Sequence, residues 1–109
     1  MEDLTKDSYT LLCIMYHIYL DRVKAGMSKS ESREFADGFY KANKNLAKRN
    51  PNDIELSLKE LSAKGYIKIN IWDDSTFTDK AIIKMEKRFV DKGKLITEIL
   101  SYLPGYIFH

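Results

Sequence analysis

Apolar residues recur at helical spacing near the start of the chain. Tyr9, Leu12, Tyr16, Tyr19 and Val23 form one stripe, and Leu11, Ile14, Met15 and Ile18 widen it well beyond an ordinary amphipathic face. The pattern predicts a first helix that must be covered on more than one side. Leu4-Thr5 marks its start as an N-cap with a hydrophobic staple reaching Tyr9, and Ala25-Gly26 marks its end. Ser28-Lys29-Ser30-Glu31 has the capping-box pattern, and Phe35, Phe39, Ala42 and Leu46 follow at helical spacing. These predict a second helix running to about Lys48.

Asn50-Pro51-Asn52-Asp53 then supplies an N-cap amide, a proline at the first helical position and an acid in the first turn. The third helix so begun turns Ile54, Leu58 and Leu61 inward, and Gly65 stands where a left-handed C-cap belongs. From Tyr66 to Ile71 the period changes to two, with Ile67, Ile69 and Ile71 on one side of a half-buried strand. Asp73-Asp74-Ser75 is turn chemistry, and a short strand around Thr76 to Thr78 closes a hairpin. Phe77-Thr78-Asp79 opens a fourth helix with a second staple to Ile82; this helix buries Ile82, Met85 and Phe89 and stops near Gly93. Leu95, Ile96, Ile99, Leu100 and Leu103 predict a short final helix, closed by Pro104-Gly105 before an apolar tail, Tyr106-Ile107-Phe108.

The predicted fold class is mainly α with a small β-hairpin. The residues Leu58-Lys59-Glu60-Leu61, Lys64-Gly65-Tyr66-Ile67 and Phe77-Thr78-Asp79-Lys80-Ala81-Ile82 resemble the winged helix-turn-helix family. In that family a recognition helix ends in glycine, a first wing strand follows, and the second strand runs into the next helix. The resemblance spans roughly residues 50 to 90, with Ala81 where the family commonly has glycine. It implies a three-helix core, a two-stranded wing and extra C-terminal helices, with the third helix reading the DNA major groove. Residues 1–109 then form one winged-helix domain, in which 94–109 is a C-terminal helix and apolar tail used for packing or for a homodimer.

Length and composition agree with a single packed domain: 109 residues, 44% apolar and 12% aromatic, exclude disorder and low complexity. The net charge of +2 excludes a polybasic tail, but it is a cancellation. Residues 27–50 carry six basic and three acidic groups (+3), and residues 51–78 carry three and five (−2). Arg33, Lys41, Lys44, Lys48 and Arg49 fall on or just after the predicted second helix, and Lys80, Lys84, Lys87 and Arg88 on the outer side of the fourth. These are the expected phosphate contacts to double-stranded DNA. The outer face of the third helix carries Asn52, Leu56, Lys59, Glu60 and Ala63, flanked by Asp53 and Glu55. Asn52 and Lys59 suit base edges and Leu56 a thymine methyl, whereas the acids oppose phosphate. A protein-binding module using Leu56 and Glu60 is therefore the alternative reading.

Other chemistry is sparse. Cys13 is the single cysteine, so no intramolecular disulfide or paired-thiolate zinc site is possible, and it reads as a half-buried structural thiol. His17 reads as a surface partner of Asp21 on the polar edge of the first helix. No nucleophile and base pair, phosphate-binding glycine loop or metal motif stands out, so neither enzymatic activity nor a cofactor is expected. MEDLTKDSYT lacks the pattern of a secretory signal, and no apolar run approaches about twenty residues. Fourteen lysines against four arginines, with eleven isoleucines, point to an AT-rich bacterial or phage coding sequence. The expectation is a cytoplasmic regulator of transcription.

Overall fold

The structure, a computed structural model, describes residues 3–91. Its elements in chain order are α1 (Lys6–Lys24), α2 (Lys29–Ser32), β1 (Glu34–Phe35), a 3₁₀ turn (Phe39–Ala42), α3 (Pro51–Ala63), β2 (Ile67–Ile69), β3 (Ser75–Phe77) and α4 (Asp79–Asp91). The molecule is mainly helical, with one small antiparallel sheet in the order β1-β3-β2. The predicted final helix and tail, residues 94–109, and the side chain of Phe89 lie outside what is described.

α1 is the hub. Thr5 caps it, its hydroxyl accepting the Ser8 amide, and every residue from Ser8 to His17 is buried, as is Tyr19. Such an all-round apolar helix needs neighbours on several sides, and α1 packs against α2, α3 and α4. Tyr16 and Tyr19 stack against Phe77 of β3 at 6.4 and 6.2 Å between ring centres, and Phe35 of β1 meets the same ring at 6.2 Å. This aromatic cluster fastens the sheet to the hub.

The long second helix does not form. Ser28 caps α2, its hydroxyl accepting the Glu31 amide and donating to the Glu31 carboxylate at 3.1 Å, but α2 ends at Ser32. Glu34 and Phe35 instead pair with Thr76 and Ser75 of β3, so the sheet has three strands rather than two. Gly38 then takes φ 73°, a left-handed conformation that interrupts a helix and that glycine adopts without steric cost. Asn43 holds the following turns, its side-chain oxygen accepting the amides of Asn45 and Leu46. Phe35 and Leu46 reach the core nonetheless, while Phe39 is half-buried and Ala42 exposed.

The hairpin forms, with Ile67 facing Phe77 and Ile69 facing Ser75. Its inward stripe is shorter than the alternation predicts: Ile67 is buried and Ile69 half-buried, but Ile71 is 87% exposed. The strand stops because the chain turns at Asn70, whose amide and carbonyl bond to the Asp74 carbonyl and the Asp73 amide, with Asp73 at φ 66°. α4 buries Ala81, Ile82 and Met85 as its staple implies.

Candidate nucleic-acid interface

α3 starts at Asn50, whose side chain accepts the Asn52 amide at 2.8 Å, and Pro51 occupies the first turn. Ile54, Leu58 and Leu61 point into the core. Asn52, Leu56, Lys59 and Ala63, spaced to share one side of the helix, are exposed, Leu56 to 64%. Behind the helix end, Gly65 takes φ 85°, and the Lys80 ammonium donates to the Lys64 carbonyl at 2.6 Å.

The acids flanking that face are not equivalent. Glu60 is half-buried and accepts three hydrogen bonds from the start of α1: the Thr5 amide at 2.8 Å and the Thr5 and Ser8 hydroxyls at 2.7 Å each. The Ser8 hydroxyl and the Thr5 groups hold its pKa below the ordinary carboxylate value. Glu60 thus joins α3 to α1 and is not a free surface group. Glu55 accepts the Tyr40 hydroxyl at 3.0 Å; burial, and then this carboxylate, raise the Tyr40 pKa. Of the three acids, Asp53 alone is exposed.

The basic residues divide in the same way. Lys41, Lys44, Lys48 and Arg49 are all exposed, on the segment that leads into the Asn50 cap, although Lys41 lies in the short 3₁₀ element and the others on the turns after it rather than on one continuous helix. Arg33 is half-buried and ion-paired with Asp79. The outward stripe expected on α4 is largely turned back onto the protein. Lys80 and Lys84 lie over the Tyr66 ring at 4.8 and 5.3 Å, and Lys84 pairs with Asp3 at 3.4 Å. Arg88 donates to the Tyr9 hydroxyl at 2.8 Å, and Lys87 is exposed. Long side chains lay their stems along neighbouring rings, a reach that a helical wheel does not show.

Trp72, which the sequence pattern did not single out, is 81% exposed beside Ile71 at the hairpin tip. A lone tryptophan next to turn acids was the available signal. His17 is not on a polar edge: it is 3% exposed, and burial lowers its pKa despite Asp21 at 3.5 Å. Cys13 is fully rather than half-buried. Among the described residues, no group of three or more His, Cys, Asp and Glu side chains could hold a metal ion, and no helix is long and apolar enough to cross a membrane. No family model, curated protein or solved structure matches the chain.

Proposed function

We propose that this protein is a small winged-helix nucleic-acid-binding protein, a DNA-binding transcriptional regulator with α3 as its reading helix and the β2–β3 hairpin as its wing. The observation that carries the reading is the fate of the acids on α3. Glu60 and Glu55 are spent on α1 and Tyr40, so the outward face presents Asn52, Leu56, Lys59 and Ala63, with Asp53 the one acid of the three left exposed beside it. Asn52 suits adenine, Lys59 guanine and Leu56 a thymine methyl. Lys41, Lys44, Lys48 and Arg49 lead into this helix and would supply four phosphate contacts without giving up a side-chain partner among the described residues. Arg33, Lys80, Lys84 and Arg88 are weaker choices, because each would have to leave a partner it already has.

Fluorescence anisotropy with a labelled duplex across a salt series tests this. Four phosphate contacts give a log–log slope of about −3.6, and charge reversal at Lys44 and Lys48 should flatten it by about one unit for each position. Absence of duplex binding at micromolar protein and low salt overturns the reading. The second reading, a winged-helix-derived module that binds a protein, keeps Leu56 as its exposed anchor but loses Glu60. Leu56→Asp should then abolish partner binding, with no duplex binding to lose.

A further inference from the structure

β2 is an edge strand: the sheet, in the order β1-β3-β2, ends with it. The Asn70 amide donates to the Asp74 carbonyl, the Thr78 amide to the Tyr66 carbonyl, and Lys68 lies between them opposite Thr76. Tyr66, Lys68 and Asn70 therefore turn their backbone groups toward β3, and the N–H and C=O groups of Ile67 and Ile69 point outward along the open edge. At one end of this edge is the hairpin tip. The Asp73 amide donates to the Asn70 carbonyl at 2.9 Å, which sets Ile71 and Trp72 at the two centres of a tight turn, 87% and 81% exposed. Asp73, also exposed, follows them. At the other end, where Tyr66 leads into β2, is a hollow of about 490 Å³ lined by Tyr66, Lys80, Ile83 and Lys84. Tyr66 is its buried floor, and the open surface comes from Ile83, 63% exposed, and from the two lysine side chains. The Lys80 ammonium donates to a neutral group, the Lys64 carbonyl, and neither Lys80 nor Asp73 is ion-paired among the described residues.

We propose that two copies of this chain pair antiparallel along β2, each placing Ile71 and Trp72 in the other's hollow with Asp73 beside the other's Lys80. The tip is apolar with an acid next to it, and the hollow is apolar with a base next to it. They stand at opposite ends of one open strand, and antiparallel pairing lays each strand from tip to base along its copy, so a single two-fold contact fills both hollows. With Ile69 facing Ile69 of the second copy, Lys68 faces Asn70 and Trp72 falls beside Tyr66. A shift of two residues would set Lys68 against Lys68, a like-charge pair that disfavours that register. Nucleic acid suits the tip less well, because Asp73 and Asp74 oppose phosphate. The inference does not rest on the DNA reading, whose phosphate contacts at Lys41, Lys44, Lys48 and Arg49 lie outside the hairpin and α4; the hairpin then joins two copies instead of touching DNA.

The test is sedimentation equilibrium of the whole chain, with Trp72 emission as a second readout, since it is the single tryptophan. A short edge and one indole per copy bury a modest area, so a monomer–dimer equilibrium is expected at a Kd on the order of 1–100 μM. Emission should shift to the blue as the dimer forms. Trp72→Ala and Ile83→Asp change exposed side chains, and far-ultraviolet circular dichroism checks that each variant is folded. Each alone should weaken association at least about tenfold, because both tip-in-hollow contacts are lost. A mixture of the two variants keeps one intact contact, the Trp72 of the Ile83→Asp copy in the hollow of the Trp72→Ala copy. Mixing should therefore raise the dimer fraction above that of either variant and shift the remaining tryptophan to the blue. A wild-type chain that is monomeric up to about 0.5 mM overturns the inference. So does a dimer that neither substitution weakens, which would place the interface elsewhere, or a mixture that associates no better than its components.

Discussion

Glu60 sits where the helical period puts a solvent-facing side chain, yet its carboxylate completes another helix. A capping box needs an acceptor for the N-cap amide, usually a Glu or Gln three residues on. α1 has Ser8 at that position, whose hydroxyl meets the Thr5 hydroxyl at 3.1 Å, and Glu60 of α3 provides the acceptor for the Thr5 amide across the fold. Its charge also lies at the positive end of the α1 dipole. Glu60→Ala should therefore cost about 1–2 kcal/mol in urea unfolding, as a lost cap with a charged acceptor does, whereas a surface glutamate would cost next to nothing. Glu60→Gln, keeping one acceptor oxygen without the charge, should lose roughly half as much. The Tyr66 hydroxyl makes a comparable link by donating to Asp3, which also pairs with Lys84. Both links join positions more than fifty residues apart, Thr5 to Glu60 and Asp3 to Tyr66, and no local pattern announces them.

At the scale of elements, local rules were legible wherever the cause of a structure is local. The caps at Thr5, Ser28 and Asn50 and the left-handed Gly65 all stand where side-chain chemistry puts them. The second helix failed because its apolar spacing competes with pairing that the spacing cannot represent. A two-residue strand has no period to read, and the partner of Phe35 is Ser75, forty residues on. Burial of Phe35 and Leu46 was readable because both arrangements demand it; the path between them was not. Gly38 marks the conflict, since a helix through it would use negative φ while the chain holds φ 73°. The nearest atoms a Cβ there would meet belong to the flexible Lys41 side chain, at 3.7 Å and beyond, so the cost of substitution is conformational and not steric. Gly38→Ala should destabilise by about 1–2 kcal/mol, the penalty for a left-handed L-residue. In a continuous second helix the same change would stabilise by up to about 1 kcal/mol, so the sign of the shift in unfolding midpoint decides between the two structures. The candidate site was legible in the same uneven way. Exposure of Asn52, Leu56 and Lys59 follows from the period of α3 alone, but the engagement of Lys80, Lys84 and Arg88 depends on Tyr66, Asp3 and Tyr9, which arrive from elsewhere in the chain.

For the molecule as a whole, the near-neutral balance hides groups whose titration is tied to folding, and they form two sets of opposite sign. Asp3 is held below its ordinary value of 3.8, first by the Tyr66 hydroxyl, and Glu60 below 4.5, first by Ser8. Burial holds His17 below 6.5. A group with a lowered folded pKa binds its proton more readily when unfolded, so its stabilisation is present above the ordinary value and lost as pH falls through the folded one. Tyr66 and Tyr40 are raised, first by burial, and Tyr16 is pushed up to about 12 for the same reason. Their contribution is present below 10.0 and lost as pH rises through the folded values. Stability should thus be flat between about pH 7 and 9 and fall on both sides. On the acid side the decline should begin as pH drops below 6.5, where His17 would protonate if exposed, and steepen below 4.5 as the carboxylates follow. Urea midpoints followed by far-ultraviolet circular dichroism suit the measurement, because the lone tryptophan, Trp72, is already 81% exposed and would report unfolding poorly. His17→Gln, which cannot take a charge, should remove the first decline and leave the second. If the wild-type midpoint instead rises as pH falls from about 7 to 5.5, His17 is stabilised as its cation, and the Asp21 pairing outweighs its burial.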